Sequence, residues 1–152
     1  MKLLLDTNVY LDFLAQREPY KHEANKLFIA SYFGDIELWV STQSICDAEY
    51  IMVRRGHAKA DFRRAVLNSS EYIHPCGTHA QDALEALRGE WPDIEDGVIA
   101  LSSKRIDADY LVTRDSKGFA QAPVRAVSPA EMLSIIERDE GLAYDEIALD
   151  ER

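Results

Sequence analysis

Four aspartates, Asp6, Asp47, Asp96 and Asp115, are the residues of this chain best suited to chemistry. Two of them end strand-like segments: Leu3-Leu4-Leu5 stops at Asp6, and Leu111-Val112-Thr113-Arg114 stops at Asp115. The other two stand near expected helix starts, Asp47 in Ser44-Ile45-Cys46-Asp47 and Asp96 in Asp93-Ile94-Glu95-Asp96. Carboxylates held together stay ionised only at a cost unless a cation lies between them. Magnesium, with manganese as a substitute, is the matching ion, because it is hard and takes oxygen ligands at ~2.0–2.1 Å. Such an ion activates water and stabilises charge developing on a phosphate. That chemistry needs no Ser, Cys or His nucleophile, and the sequence offers no convincing one.

Each acid also has a plainer reading. Asp6 can cap a following helix, and Asp93 can cap the next acidic segment. Asp47 and Asp96 can be early-turn acids favoured by the helix dipole. Asp115 can be a turn acid before Gly118. Only their joint placement carries a signal.

The elements that must position them read as alternating strands and helices. Strands are expected at residues 2–5, 38–41, 71–74, 110–113 and 124–127. Helices are expected at 8–15, 20–33, from Ser41 or Thr42 to Arg55, 58–67, 78–88, Asp93 to Arg105, and from Ser128 to about Glu137. Pro75-Cys76-Gly77 reads as a turn. Ser128-Pro129-Ala130-Glu131 is a strong helix start, with Ser as N-cap, Pro first and Glu third. This alternation implies an α/β fold, a parallel sheet with helices on both faces. In such sheets ligands bind outside the carboxyl ends of the strands, where Asp6 and Asp115 would both lie. Right-handed crossovers would bring the first turns of the other two helices to the same edge.

A chain of 152 residues suits one domain with its own core. No apolar run reaches the ~18 residues of a membrane span, and the N-terminus lacks a signal-peptide pattern, so a cytoplasmic location is expected. Cys46 and Cys76 form no CxxC pair and read as reduced thiols. The four histidines share no metal-binding spacing. The net charge of −10 argues at first against a nucleic-acid partner. Half of it falls on residues 139–152, which hold six acids and one base. Cations bound among the remaining carboxylates would offset much of the rest. Residues 139–152 are expected to be an acidic C-terminal tail, disordered or forming an amphipathic segment through Leu142, Ile147 and Leu149, beside a nuclease-like domain over 1–138.

Leu3-Leu4-Leu5-Asp6-Thr7-Asn8-Val9 resembles the opening of PIN domains. Ser41-x-x-Ser44-Ile45-Cys46-Asp47, followed by Tyr50, is similar to the second acidic segment of that family. Asp93-Ile94-Glu95-Asp96-Gly97-Val98-Ile99-Ala100 is similar to the third, and Asp109-Tyr110-Leu111-Val112-Thr113-Arg114-Asp115 with Phe119 to the closing strand. The resemblance covers residues 1 to about 138. It implies a three-layer α/β/α fold with about five parallel strands, and magnesium- or manganese-dependent cleavage of RNA phosphodiester bonds. It implies that Asp6, Asp47, Asp96 and Asp115 hold the metal, with Asn8 and Thr113 as polar supports and Asp93 as an extra acid. Glu49 remains an alternative to Asp47; two residues apart on a helix lie ~200° apart, so both are not expected to face the site. Gly97 departs from the family, which usually has Ala or another helix former there, at a cost of about 1 kcal/mol in local helix stability.

Arg114 and Lys117 flank the expected site and are candidate contacts to the RNA backbone. Arg54, Arg55, Lys59, Arg63, Arg64, Lys104 and Arg105 fit a solvated face better. Small chains with this resemblance are commonly VapC-like toxins, which implies a homodimer and a cognate antitoxin. Phe28, Tyr32, Phe33, Tyr50, Met52 and Phe62 are candidates for such contacts or for the core. A housekeeping RNA-processing nuclease and a catalytically silent binding module of the same fold are the alternatives. A phosphatase-type domain fits less well, because Asn8 stands where a second Asp would be expected.

Overall fold

In a computed structural model, residues 1–145 are described; Ile147 and Leu149 of the expected tail segment lie outside them. Five strands run in parallel, in the order β3-β2-β1-β4-β5. They are β1 (Lys2–Leu5), β2 (Glu37–Ser41), β3 (Ile73–Cys76), β4 (Tyr110–Val112) and β5 (Ala126–Val127). The helices are α1 (Thr7–Leu14), α2 (Lys21–Tyr32), α3 (Thr42–Arg54), α4 (Lys59–Ser69), α5 (Ala80–Arg88), α6 (Ile94–Arg105) and α7 (Pro129–Glu140).

Alternation along the strands divides the core into two layers. Leu3, Leu5, Leu38, Val40, Val112 and Val127 face a cluster completed by Val9, Leu27, Met52, Phe62 and Ile136 of α1, α2, α3, α4 and α7. Leu4, Trp39 and Leu111 face the opposite cluster, with Ala86, Trp91, Val98 and Ile99 on and around α5 and α6. The expected three-layer α/β/α architecture is therefore observed.

Several element boundaries differ from the sequence expectation. The third strand runs Ile73–Cys76 instead of 71–74, so Pro75 and Cys76 are paired, with Val40 and Ser41, and do not form a turn. A proline is tolerated there because β3 is an edge strand, where one side needs no ladder donor. The fifth strand is only Ala126–Val127. At the C-terminus α7 runs on to Glu140 and ends at Gly141, whose φ of 69° suits a left-handed cap. Tyr144 then packs against the core, and its hydroxyl donates to Asp35 Oδ2 at 2.8 Å.

Gly97 has a packing reason. A Cβ there would come within 2.7 Å of both the Trp91 ring and Ala86 Cβ. The glycine lets α6 press against the indole and α5. Cys46 is exposed and Cys76 is buried, and both are free thiols. None of the described helices is long and apolar enough to cross a membrane.

Candidate metal centre

All five strands deliver their C-terminal ends to one edge. β1 ends at Asp6, which is 4% exposed. Asp6 stands at the N-cap position of α1 without closing a regular cap, so its carboxylate is available to the edge. One strand over, the buried Thr113 hydroxyl donates to Asp6 Oδ2 at 2.9 Å. The Thr113 oxygen accepts from the Asp115 backbone N–H at 3.0 Å, so one side chain ties the two strand-end acids together. Asp115 itself is exposed, and its Oδ1 accepts from the Gly118 N–H at 3.0 Å. A Cβ on Gly118 would lie 2.6 Å from Asp115 Oδ2 and 3.1 Å from Asp96 Oδ2. Both carboxylates thus crowd the same small volume over this glycine.

α6 supplies the acids opposite. Asp93 caps the helix, its Oδ1 accepting from the Glu95 N–H at 2.8 Å. Glu95 and Asp96 follow in the first turn. Glu95 is not among the residues singled out by sequence, yet its charge acts on both Asp6 and Asp96. Thr7 Oγ1 stands 2.7 Å from Glu95 Oε1 and 2.8 Å from Ser44 Oγ. The Thr7 hydroxyl thus lies within hydrogen-bonding distance of both oxygens, with a single proton to give. Ser41, which caps α3 by accepting from the Ser44 N–H, stands 2.9 Å from Ser44 Oγ and completes the relay. The run Ser41-x-x-Ser44 carried this signal in the sequence.

Asp47 lies on α3 beside Glu95 and acts on it electrostatically. It is the sixth residue of the helix, past the first turn, and the Gln43 amide holds it at 2.9 and 3.1 Å. Glu49 instead lines a separate groove with Cys46, Tyr50 and Arg54. Asn8 is exposed, and none of the described hydrogen bonds to the carboxylates comes from it. Lys117 is exposed. Arg114 is engaged elsewhere: its Nε lies 3.0 Å from Asp12 Oδ2, and its guanidinium sits over the Tyr20 ring, 3.8 Å from the centroid.

The electrostatics follow from this crowding. Burial pushes the Asp6 carboxyl up to about 7; the Thr113 bond opposes that, and the charges of Asp96 and Glu95 add to it. Burial also pushes Asp96 up to about 6, helped by Asp93, Glu95 and Asp115. Glu95 is raised by burial and by Asp47, against the Thr7 bond. Three carboxyls that resist ionisation side by side form a donor set that a divalent cation would relieve. Among the described residues no three His, Cys, Asp or Glu side chains close around one point. Magnesium keeps several waters and takes only one or two carboxylates from a protein, so it does not require a closed cage of acids.

A family model described as PIN domain matches residues 2–117. Comparison with curated proteins returns no match. Among solved structures the chain is similar to VapBC2 from Rickettsia felis bound to a DNA fragment from their promoter, with a TM-score of 0.62 at 17% identity over 84% of this chain and 98% of that one. It is similar to VapC20 of Mycobacterium tuberculosis, a Sarcin-Ricin loop cleaving toxin, with a TM-score of 0.61 at 12% identity over 78% and 94%. PAE2754 from Pyrobaculum aerophilum gives 0.62 at 14% identity over 91% and 100%. At these identities the likeness is one of fold.

Proposed function

The chain belongs to the PIN domain family, and from that premise we propose that it is a magnesium- or manganese-dependent endoribonuclease, the toxin of a toxin–antitoxin pair. The observation that carries the reading is the convergence of Asp6, Glu95, Asp96 and Asp115 on one sheet edge, with burial and mutual repulsion raising three of them. Asp6, Asp96 and Asp115 would hold the cation, with Asp47 and Glu95 completing the acidic wall. When bound, the ion supplies Lewis-acid stabilisation and water activation at a phosphodiester. Thr113 fixes the Asp6 rotamer, and the Ser41–Ser44–Thr7 relay fixes Glu95, as polar supports do around metal ligands. Asp93 caps α6 and so orients the helix that presents both acids.

The substrate is RNA and the setting the cytoplasm. An antitoxin and a second copy of the chain are the expected partners. Support comes from Tyr32, Phe33 and Tyr50, which stand 55%, 60% and 61% exposed, whereas Met52 and Phe62 are core. The antitoxin reading also draws on the fold shared with the VapBC complex above.

The test is cleavage of a labelled single-stranded RNA by purified, partner-free protein, with magnesium, with manganese and with EDTA, beside Asp96→Asn. Metal-dependent cleavage lost in the variant supports the reading. Cleavage that survives EDTA and the variant contradicts it.

A further inference from the structure

Between the starts of α2 and α7 lies an open pocket of about 510 Å³ that the reading above leaves unused. Its walls are Pro19, Tyr20 and Glu23 at the start of α2, Arg114 beyond β4, and Ser128, Pro129 and Ala130 at the start of α7. Arg114 follows β4, and Ser128 and Pro129 follow β5, so the pocket lies at the carboxyl-end edge of the sheet, the edge that carries Asp6 and Asp115.

The cation of this pocket is built in place. Asp12, 1% exposed, is held by Arg17 at 2.8 Å and faces Arg114 Nε at 3.0 Å. The Arg114 plane is then laid on the Tyr20 ring. An arginine anchored by a buried carboxylate and an aromatic face is a rigid, flat platform, with little freedom to sweep the solvent as a surface phosphate clamp would. The remaining walls are two prolines, an alanine and Ser128, whose hydroxyl caps α7, with the Glu23 carboxylate as an acceptor. A phosphate would meet that carboxylate as a like charge. A planar base with N–H groups on its edge meets apolar walls, a stacking platform and an acceptor.

We propose that this pocket receives the base of a nucleotide flanking the scissile phosphate, packing it against the Arg114–Tyr20 pair while Glu23 accepts from its N–H edge. The proposal rests on the ribonuclease reading. Recognition of single-stranded RNA commonly takes this form, a splayed base stacked on an aromatic or guanidinium plane and read along its edge. Guanine presents two adjacent donors to a carboxylate and uracil one, so guanine is the preferred occupant.

The experiment uses short labelled RNAs that differ only in the base at the two positions on each side of the cut, with wild-type protein, Glu23→Gln and Tyr20→Ala. Wild-type protein is expected to favour guanine over uracil in kcat/KM at one flanking position by roughly ten-fold, the discrimination of a good bidentate contact. Glu23→Gln should flatten that preference, lowering kcat/KM on the guanine-bearing RNA towards that on the uracil-bearing one. Tyr20→Ala should raise KM for every base with a thermal melt like that of wild type. A preference that survives Glu23→Gln, or an unchanged KM in Tyr20→Ala, overturns the pocket. Binding without turnover, read by fluorescence anisotropy on the same RNAs, separates the two readings. Guanine-selective binding that Glu23→Gln abolishes, in a protein that cuts nothing, keeps the pocket and removes the nuclease. Equal binding by all three proteins removes the pocket.

Discussion

The Thr7 hydroxyl stands 2.7 Å from Glu95 Oε1, joining the first residue of α1 to the first turn of α6 across 88 positions of sequence. The contact holds a half-buried carboxylate among the charges of Asp6, Asp96 and Asp47. Such an arrangement is costly for the fold without a cation and useful with one.

Glu95→Gln is therefore expected to separate stability from activity. Removing one charge relieves repulsion, so the melting temperature in EDTA should rise at neutral pH. Metal-dependent RNA cleavage should fall by roughly 10–100-fold, the usual loss when groups around a metal site are altered. Thermal melts and initial rates on one preparation check both.

The raised carboxyls fix the sign of the pH dependence. Asp6, near 7, and Asp96, near 6, both stand above the ordinary value of 3.8. The folded protein therefore keeps protons that the unfolded chain releases. Stability of the metal-free protein is greatest below the unfolded value and falls as pH rises through about 7. Melts in EDTA from about pH 5 to about pH 8 should show the decline, and saturating magnesium should flatten it.

Gly118→Ala should lower activity more than stability. Its Cβ would press on Asp115 Oδ2, at 2.6 Å, and on Asp96 Oδ2, at 3.1 Å. Both carboxylates would have to swing aside, and the segment bearing Gly118 is a surface turn. Titration calorimetry should find magnesium affinity reduced by roughly ten-fold or more.

Gly97→Ala tests packing against propensity. Alanine is the better helix former by about 1 kcal/mol. Its methyl would meet the Trp91 ring at 2.7 Å, and overpacking of this kind costs about 1–3 kcal/mol. The variant should be the less stable one in a urea melt.

Much of this architecture is legible in the sequence because each layer has its own period. Leu3-Leu4-Leu5 is apolar throughout, since Leu3 and Leu5 meet one helical layer and Leu4 the other. Asp6 is legible because it ends such a run, and Asp115 because it follows the strand segment Tyr110-Leu111-Val112 closely. Glu95 was missed because its neighbours Asp93 and Asp96 already account for a capped, acidic helix start; only the partner Thr7, far away in sequence, marks it out. Arg114 looks in sequence like a free cation beside Asp115, and nothing local announces that Asp12 and Tyr20 hold it. The third strand lies two residues beyond its expected place because Pro75 reads as a breaker unless its edge position is known.

The most direct test of the central claim is an anomalous difference map from crystals soaked in manganese. The account predicts a peak over the sheet edge within coordination distance, roughly 2.0–2.2 Å, of oxygens from Asp6, Asp96 or Asp115, and its loss in Asp6→Asn. Manganese absent from that edge, or bound undiminished in Asp6→Asn, would contradict it.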